Sequence, residues 1–258
     1  MTIGFRLGAH IPWAHIELAL NDILELGLAP EVAIRGPELE GIEKVQLDRI
    51  SSRLAAAGVR PTVHAPFFDL NPGALDPLIR KVTNRRLSQA LAVAEHLNAH
   101  LMVIHPGVDK WRYPGLEQTW LSLAMDSFTP LIELAMNSNC RLAIENIYEE
   151  TPVTLVQLVE GLNSSWFGHC FDVGHWFLFG KLPMADWLEL IGPRLFHLHM
   201  HDNHGQSDEH LPVGEGDIDF GPLLWKLHQV SPRPSITLEA HNADHLLRSL
   251  NQIKRFLC

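Results

Sequence analysis

Short apolar runs followed by amphipathic stretches recur eight times along the chain, at residues 3–10, 31–36, 60–67, 100–107, 141–147, 168–175, 194–202 and 235–241. Each run is short enough for a strand, and the stretches between them carry helical spacing. Over 15–28 the residues Ile16, Leu20, Ile23 and Leu24 fall on one face, and over 85–97 Leu87, Leu91 and Ala94 do the same. Helix ends are marked by Gly27 before the second strand, Gly58 before the third and Asn98 before the fourth.

Eight strand–helix units closing on themselves make a parallel (β/α)8 barrel, and a chain of 258 residues is the size at which such barrels form one unit. The expectation is a single domain over 1–258, since no Gly/Ser-rich or Pro-rich linker divides it. The competing architecture is an open doubly wound sheet. A dinucleotide-binding version of that sheet is disfavoured, because no GxGxxG follows the first strand and the GEG at 214–216 has no strand immediately before it.

Charge narrows the partners. A net charge of −10 offers no general attraction to phosphate backbones, so a small-molecule substrate is expected and duplex DNA is disfavoured. Three scattered cysteines, Cys140, Cys170 and Cys258, form neither a disulfide framework nor a CxxC site. The N-terminal MTIGFRLGAH lacks the layout of a signal peptide, and no segment offers roughly 18 uninterrupted apolar residues. These features point to a cytoplasmic protein without a membrane span.

The 16 histidines change the picture most, because several sit beside Asp or Glu in apolar runs. In a (β/α)8 barrel, functional groups occupy the C-terminal ends of the strands and the loops that follow. Here the third run ends near His64, the fourth at His105, the fifth at Glu145, the sixth at Asp172 and His175, the seventh at His199 and the eighth at Glu239. Burying these groups together is costly through desolvation and like-charge repulsion unless cations neutralise them. A metal centre at the barrel mouth is the simplest solution. His197, His199 and His201 alternate, so they share one face of the seventh strand and compete as ligands. Asp208 and His210 form a D-x-H pair on the next loop that can reach back over the mouth.

Taken in order, VHAPF, VIHPG, AIEN, FDVGH, HMHD, SDEH and TLEA resemble the xylose isomerase-like TIM barrel superfamily, and within it the endonuclease IV pattern of AP endonuclease family 2. The resemblance runs from about residue 8 to 240. It implies up to three divalent metals. His64, His105 and Glu145 would hold the first; Glu145, Asp172, His199 and Glu239 the second; His175, Asp208 and His210 the third. The mixture of imidazole and carboxylate suits Zn²⁺, with Mn²⁺ and Fe²⁺ as alternatives. The sugar isomerases and epimerases of the same superfamily resemble this chain in the subset Glu145, Asp172, His199 and Glu239.

Two activities follow as expectations. The extra ligands favour a metal-dependent hydrolase that cleaves a phosphoester in a small molecule, clustered metals activating water and stabilising the leaving oxygen. The alternative is a sugar or sugar-phosphate isomerase or epimerase, in which Glu145 and Glu239 shuttle a proton beside one metal. A metal-stabilised binding module without catalysis is a third class. The loop at 35–44 is acidic, unlike the DNA-probing loop of endonuclease IV, which argues against duplex DNA. Phe67 and Phe68 are expected to wall a pocket. Lys110, Trp111, Arg112 and Tyr113 are candidates to grip an anionic or flat substrate, and Trp176, with Phe177 and Phe179, to line the pocket or pack beneath the following helix. Arg80, Lys81, Arg85 and Arg86 are expected on a solvated outer face.

Overall fold

A computed structural model of the chain describes residues 4–256; Ile3, at the start of the first predicted strand, and Cys258 lie outside them. Eight strands pair in parallel and in chain order to close a barrel: β1 (Leu7–Pro12), β2 (Ala29–Ala33), β3 (Thr62–His64), β4 (Leu101–Ile104), β5 (Arg141–Glu145), β6 (Phe167–Asp172), β7 (Leu195–Met200) and β8 (Ser235–Leu238). The pairing of Leu7 with Ile236 and of Ala9 with Leu238 completes the ring.

The helices are α1 (Ile16–Glu25), α2 (Lys44–Ala56), α3 (Pro77–His96), α4 (Glu117–Asn137), α5 (Val153–Leu162), α6 (Val173–Phe179), α7 (Met184–Ile191), α8 (Gly221–Leu227) and α9 (Ala243–Phe256). Among the described residues, none is long and apolar enough to cross a membrane.

Alternation along the strands divides the core. Outward side chains such as Val32, Val63, Met102 and Ile144 pack under Ile50, Leu91 and Phe128 of the helical layer on one side. Phe171, Leu198 and Ile236 meet Trp187, Leu223 and Leu250 on the other. The apolar filling inside the barrel is small: Leu101, Val103, Ala143 and Cys170. The rest of the buried interior is polar, with Glu31, Thr62, His197 and Thr237 all within 4% of full burial.

The predicted helix ends hold, with Gly27, Gly58 and Asn98 at φ of 75°, 67° and 53°. In this left-handed region glycine pays no Cβ penalty and asparagine tolerates it best among the others. The strands are shorter than or shifted from the predicted runs, β1 covering Leu7–Pro12 and not 3–10 and β2 Ala29–Ala33 and not 31–36, and two further boundaries have a clear local cause. The helix over 85–97 is only the second part of α3, which starts at Pro77 after the N-cap Asp76, whose side chain accepts from the Leu78 amide. The first turns carry few apolar residues at core spacing, so periodicity did not reveal them. Arg80, Lys81, Arg85 and Arg86 therefore lie within this helix, and Arg85 and Arg86 pair with Glu40. The sixth run stops being a strand at Asp172, which caps α6 by accepting from the His175 amide at 2.6 Å.

Candidate metal centre

Glu145, the last residue of β5, is the hub. Its Oε2 lies 3.3 Å from His64 Nε2 at the end of β3 and 3.0 Å from His105 Nε2 just beyond β4. Its Oε1 faces the other way, 3.1 Å from His199 Nδ1 on β7 and 3.5 Å from His175 Nδ1 on α6. His199 Nδ1 is also 3.3 Å from Glu239 Oε1 beyond β8 and 3.8 Å from Asp172 Oδ2. The ligand groups expected at the first and second metals are thus brought together by six strand ends.

The third expected group also assembles: Asp208 Oδ2 is 3.5 Å from His175 Nε2 and 3.0 Å from His210 Nε2. It contains one more imidazole than expected. His201, fully buried, stands 3.3 Å from Asp172 Oδ2 and stacks on His210 with ring centroids 4.0 Å apart. Donor atoms of Asp172, His175 and His201, and of His201, His210 and Glu239, lie within 4.8 Å of one another. The alternation of three histidines along and just past β7 carried the signal. Gly174 makes room for the His201 ring, because a Cβ there would stand 2.0 Å from it.

Local sequence explains why these groups hold position. Asn146 clasps Asp172 with both ends of its amide, donating to the Asp172 carbonyl and accepting from the Asp172 amide at 2.9 Å each. Asp202, fully buried just past β7, accepts from the amides of Asn203, Gly214 and Ile218. Its own backbone bridges Leu211. This fixes the loop that carries Asp208 and His210, the latter at a φ of 48°, in the left-handed region.

Below the mouth lies Glu31 of β2, fully buried, 2.9 Å from His199 Nε2 and 3.0 Å from His197 Nε2. Sequence reading passed over it. An inward-pointing acid in an otherwise apolar run was the available sign.

The electrostatics are those of a cluster of opposite charges kept from water. Burial favours neutral Glu145, yet His199 and His105 hold its carboxyl well below the usual carboxylate range. Burial likewise works against charge on His175 and His199. Asp172, Asp208 and Glu145 overcome it for His175, and Glu31, Glu239 and Glu145 are among the groups that do so for His199, so both imidazoles are raised well above their ordinary values. Such protons would compete with any divalent cation for the same nitrogens. The donor set fits a metal: imidazole nitrogens alternate with carboxylate oxygens, and the buried His201 Nδ1 has no hydrogen-bond partner among the described residues. Cys140 and Cys170 are buried and belong to no candidate ligand group.

The mouth opens into a cavity of about 810 Å³ lined by Phe67, Phe68, His105, Arg112, Tyr113, Tyr148, His175 and Asp208, among others. Phe67 stacks on His105 at 4.1 Å between centroids. Of the residues expected to wall the pocket or grip the substrate, Phe67, Phe68, Arg112 and Tyr113 reach this cavity. Lys110 instead borders a neighbouring cleft and pairs with Glu150. Trp111 is 63% exposed and meets the edge of Tyr148. Trp176 turns away from the mouth: its indole N–H donates to the Leu182 carbonyl at 3.0 Å and its ring packs against the second core cluster. That hydrogen bond and the apolar surface beneath α6 decide its orientation.

A family model described as xylose isomerase-like TIM barrel matches residues 22–256. Uncharacterized protein MJ1311 of Methanocaldococcus jannaschii is 31% identical over 210 residues, 77% of this chain and 70% of that protein. Among solved structures, a D-tagatose 3-epimerase-like protein superposes with a TM-score of 0.85 at 27% identity, covering 98% of this chain and 97% of that one. A Thermus thermophilus protein, TTHB071, soaked with ZnCl2, gives a TM-score of 0.84 at 27% identity over 97% of each chain.

Proposed function

We propose a reaction from one premise: the chain belongs to the xylose isomerase-like TIM barrel family. The reaction is a metal-dependent epimerisation or isomerisation of a small sugar, with Glu145 and Glu239 as the proton carriers. The observation that carries it is the convergence of these two carboxylates, from opposite parts of the ring, on His199 Nδ1 at 3.1 and 3.3 Å. A solved relative described as D-tagatose 3-epimerase-like supports the choice of sugar chemistry over the phosphoester hydrolysis first expected.

Glu145, Asp172, His199 and Glu239 would hold the cation, which would polarise the carbonyl and neighbouring hydroxyl of the substrate. One of the two glutamates, ionised, takes the proton from the carbon next to the carbonyl. The other, protonated, delivers its proton to the opposite face, and the pair ends with protonation exchanged. Arg112 and Phe67 contribute a cation and an apolar wall to the cavity.

The test is incubation of zinc- or manganese-loaded protein with ketoses in deuterated water. Epimer formation with deuterium at the inverted carbon is expected, and Glu145→Gln and Glu239→Gln should each lower kcat by about 10²–10⁴-fold. Hydrolysis is the second reading, favoured by the division of Glu145 between two sets of histidines and by the Asp208 and His210 loop. Three tightly bound metals per chain, phosphodiester cleavage and no deuterium in any ketose would establish it instead.

A further inference from the structure

The polar interior beneath the mouth lies outside the three metal groups expected from the sequence, although donor atoms of Glu31, His197 and His199 also lie within 4.8 Å of one another, and its organisation is directional. Glu31 has two oxygens with separate tasks. Oε2 accepts from the hydroxyls of Thr62 at 2.8 Å and Thr237 at 3.2 Å and lies 3.0 Å from His197 Nε2. Two hydroxyl donors on one oxygen, with the imidazole alongside and itself hydrogen-bonded to Thr237 Oγ1 at 3.0 Å, leave the carboxylate little freedom to rotate. His197 is in turn tied through Nδ1 to Ser235 Oγ at 2.6 Å. The other oxygen, Oε1, is 2.9 Å from His199 Nε2. Both atoms are buried and neither has a hydrogen-bond partner among the described residues. They face each other across that 2.9 Å gap.

An imidazole offers one lone pair when neutral, and its tautomer decides which nitrogen carries it. His199 Nδ1 points into the cluster of Glu145, Glu239 and Asp172, while Nε2 points down at Glu31. A proton on Nε2 leaves Nδ1 free to ligate; a proton on Nδ1 blocks the site. We infer that Glu31 is the positioning residue of the centre, a buried carboxylate that holds His199 in the Nε2-protonated form and aims Nδ1 at a divalent cation. Carboxylate partners of ligating histidines act in this way elsewhere, and their loss weakens metal binding by about 10–100-fold. The inference rests on the metal half of the function proposed above and not on the identity of the substrate.

The experiment uses zinc alone, titrated against a competing chelator, with the full chain and with Glu31→Gln, alongside ¹⁵N NMR of the histidine rings. For the parent protein, zinc-loaded His199 should show metal on Nδ1 and the proton on Nε2. Glu31→Gln should bind zinc about 10–100-fold more weakly and show a changed His199 ring signature. Zinc affinity within about twofold of the parent's, with an unchanged His199 signature, would overturn the role of Glu31. Should Glu31→Gln fail to fold, the parent spectrum still decides, because zinc on Nε2 would refute the inference. A parent protein that binds no zinc sinks the metal reading itself, a result separate from any failure to turn over sugars.

Discussion

Glu145, Asp172, His199 and Glu239 stand at strand ends with side chains at most 9% exposed, whereas Asp208 and His210 ride on a loop at 39% and 20%. The two halves of the mouth offer similar chemistry under different terms. The strand-borne groups are fixed by barrel register and by Asn146 and Glu31, and buried charges without a partner are strongly destabilising. The loop-borne pair is more exposed, so its ion pairing contributes less to folding. The inner candidate ligands are therefore tied closely to the stability of the barrel, and the outer pair less so.

The comparison is broken most sharply at Glu145. Glu145→Ala leaves His64, His105 and His199 around an empty hub and should cost about 3–5 kcal/mol of stability in the metal-free protein, read by denaturant unfolding. Next comes pH. His175 and His199 are raised, so the stability they contribute is fully present below about pH 6.5 and is lost as pH rises through their folded values. Glu145 and Asp172 are depressed, so theirs is present above about pH 4.5 and is lost as pH falls through their folded values. The metal-free protein should be most stable between these limits. Zinc affinity should rise from pH 6 to 8, with protons released on binding, since cation and proton compete for the same nitrogens. Calorimetry in buffers of different ionisation heat checks this. The smallest effect belongs to the loop: Asp208→Asn with His210→Ala should change stability by less than about 1 kcal/mol and lower metal content without emptying the inner site. A large destabilisation there would erase the distinction.

Much of this was legible in the chain. Strand periodicity ending repeatedly in His, Asp or Glu pointed to the barrel and to seven of the nine candidate ligand positions, and the D-x-H spacing of Asp208 and His210 to the other two. What escaped did so for physical reasons. Glu31 sits at the inward position of a strand whose sequence gives no hint that its partners, His197 and His199, lie more than 160 residues away. His201 was visible as one of three alternating histidines, but only the close approach over Gly174 shows that it reaches the cluster. Trp176 depended on an indole hydrogen bond to Leu182, a contact fixed by how the chain leaves α6.

Asp202 gathers the amides of Asn203, Gly214 and Ile218 on one carboxylate. A segment tethered at both shoulders is a preformed jaw and not a swinging gate. The entropy of arranging Asp208 and His210 is given up when the chain folds, so capturing a cation there demands little reorganisation.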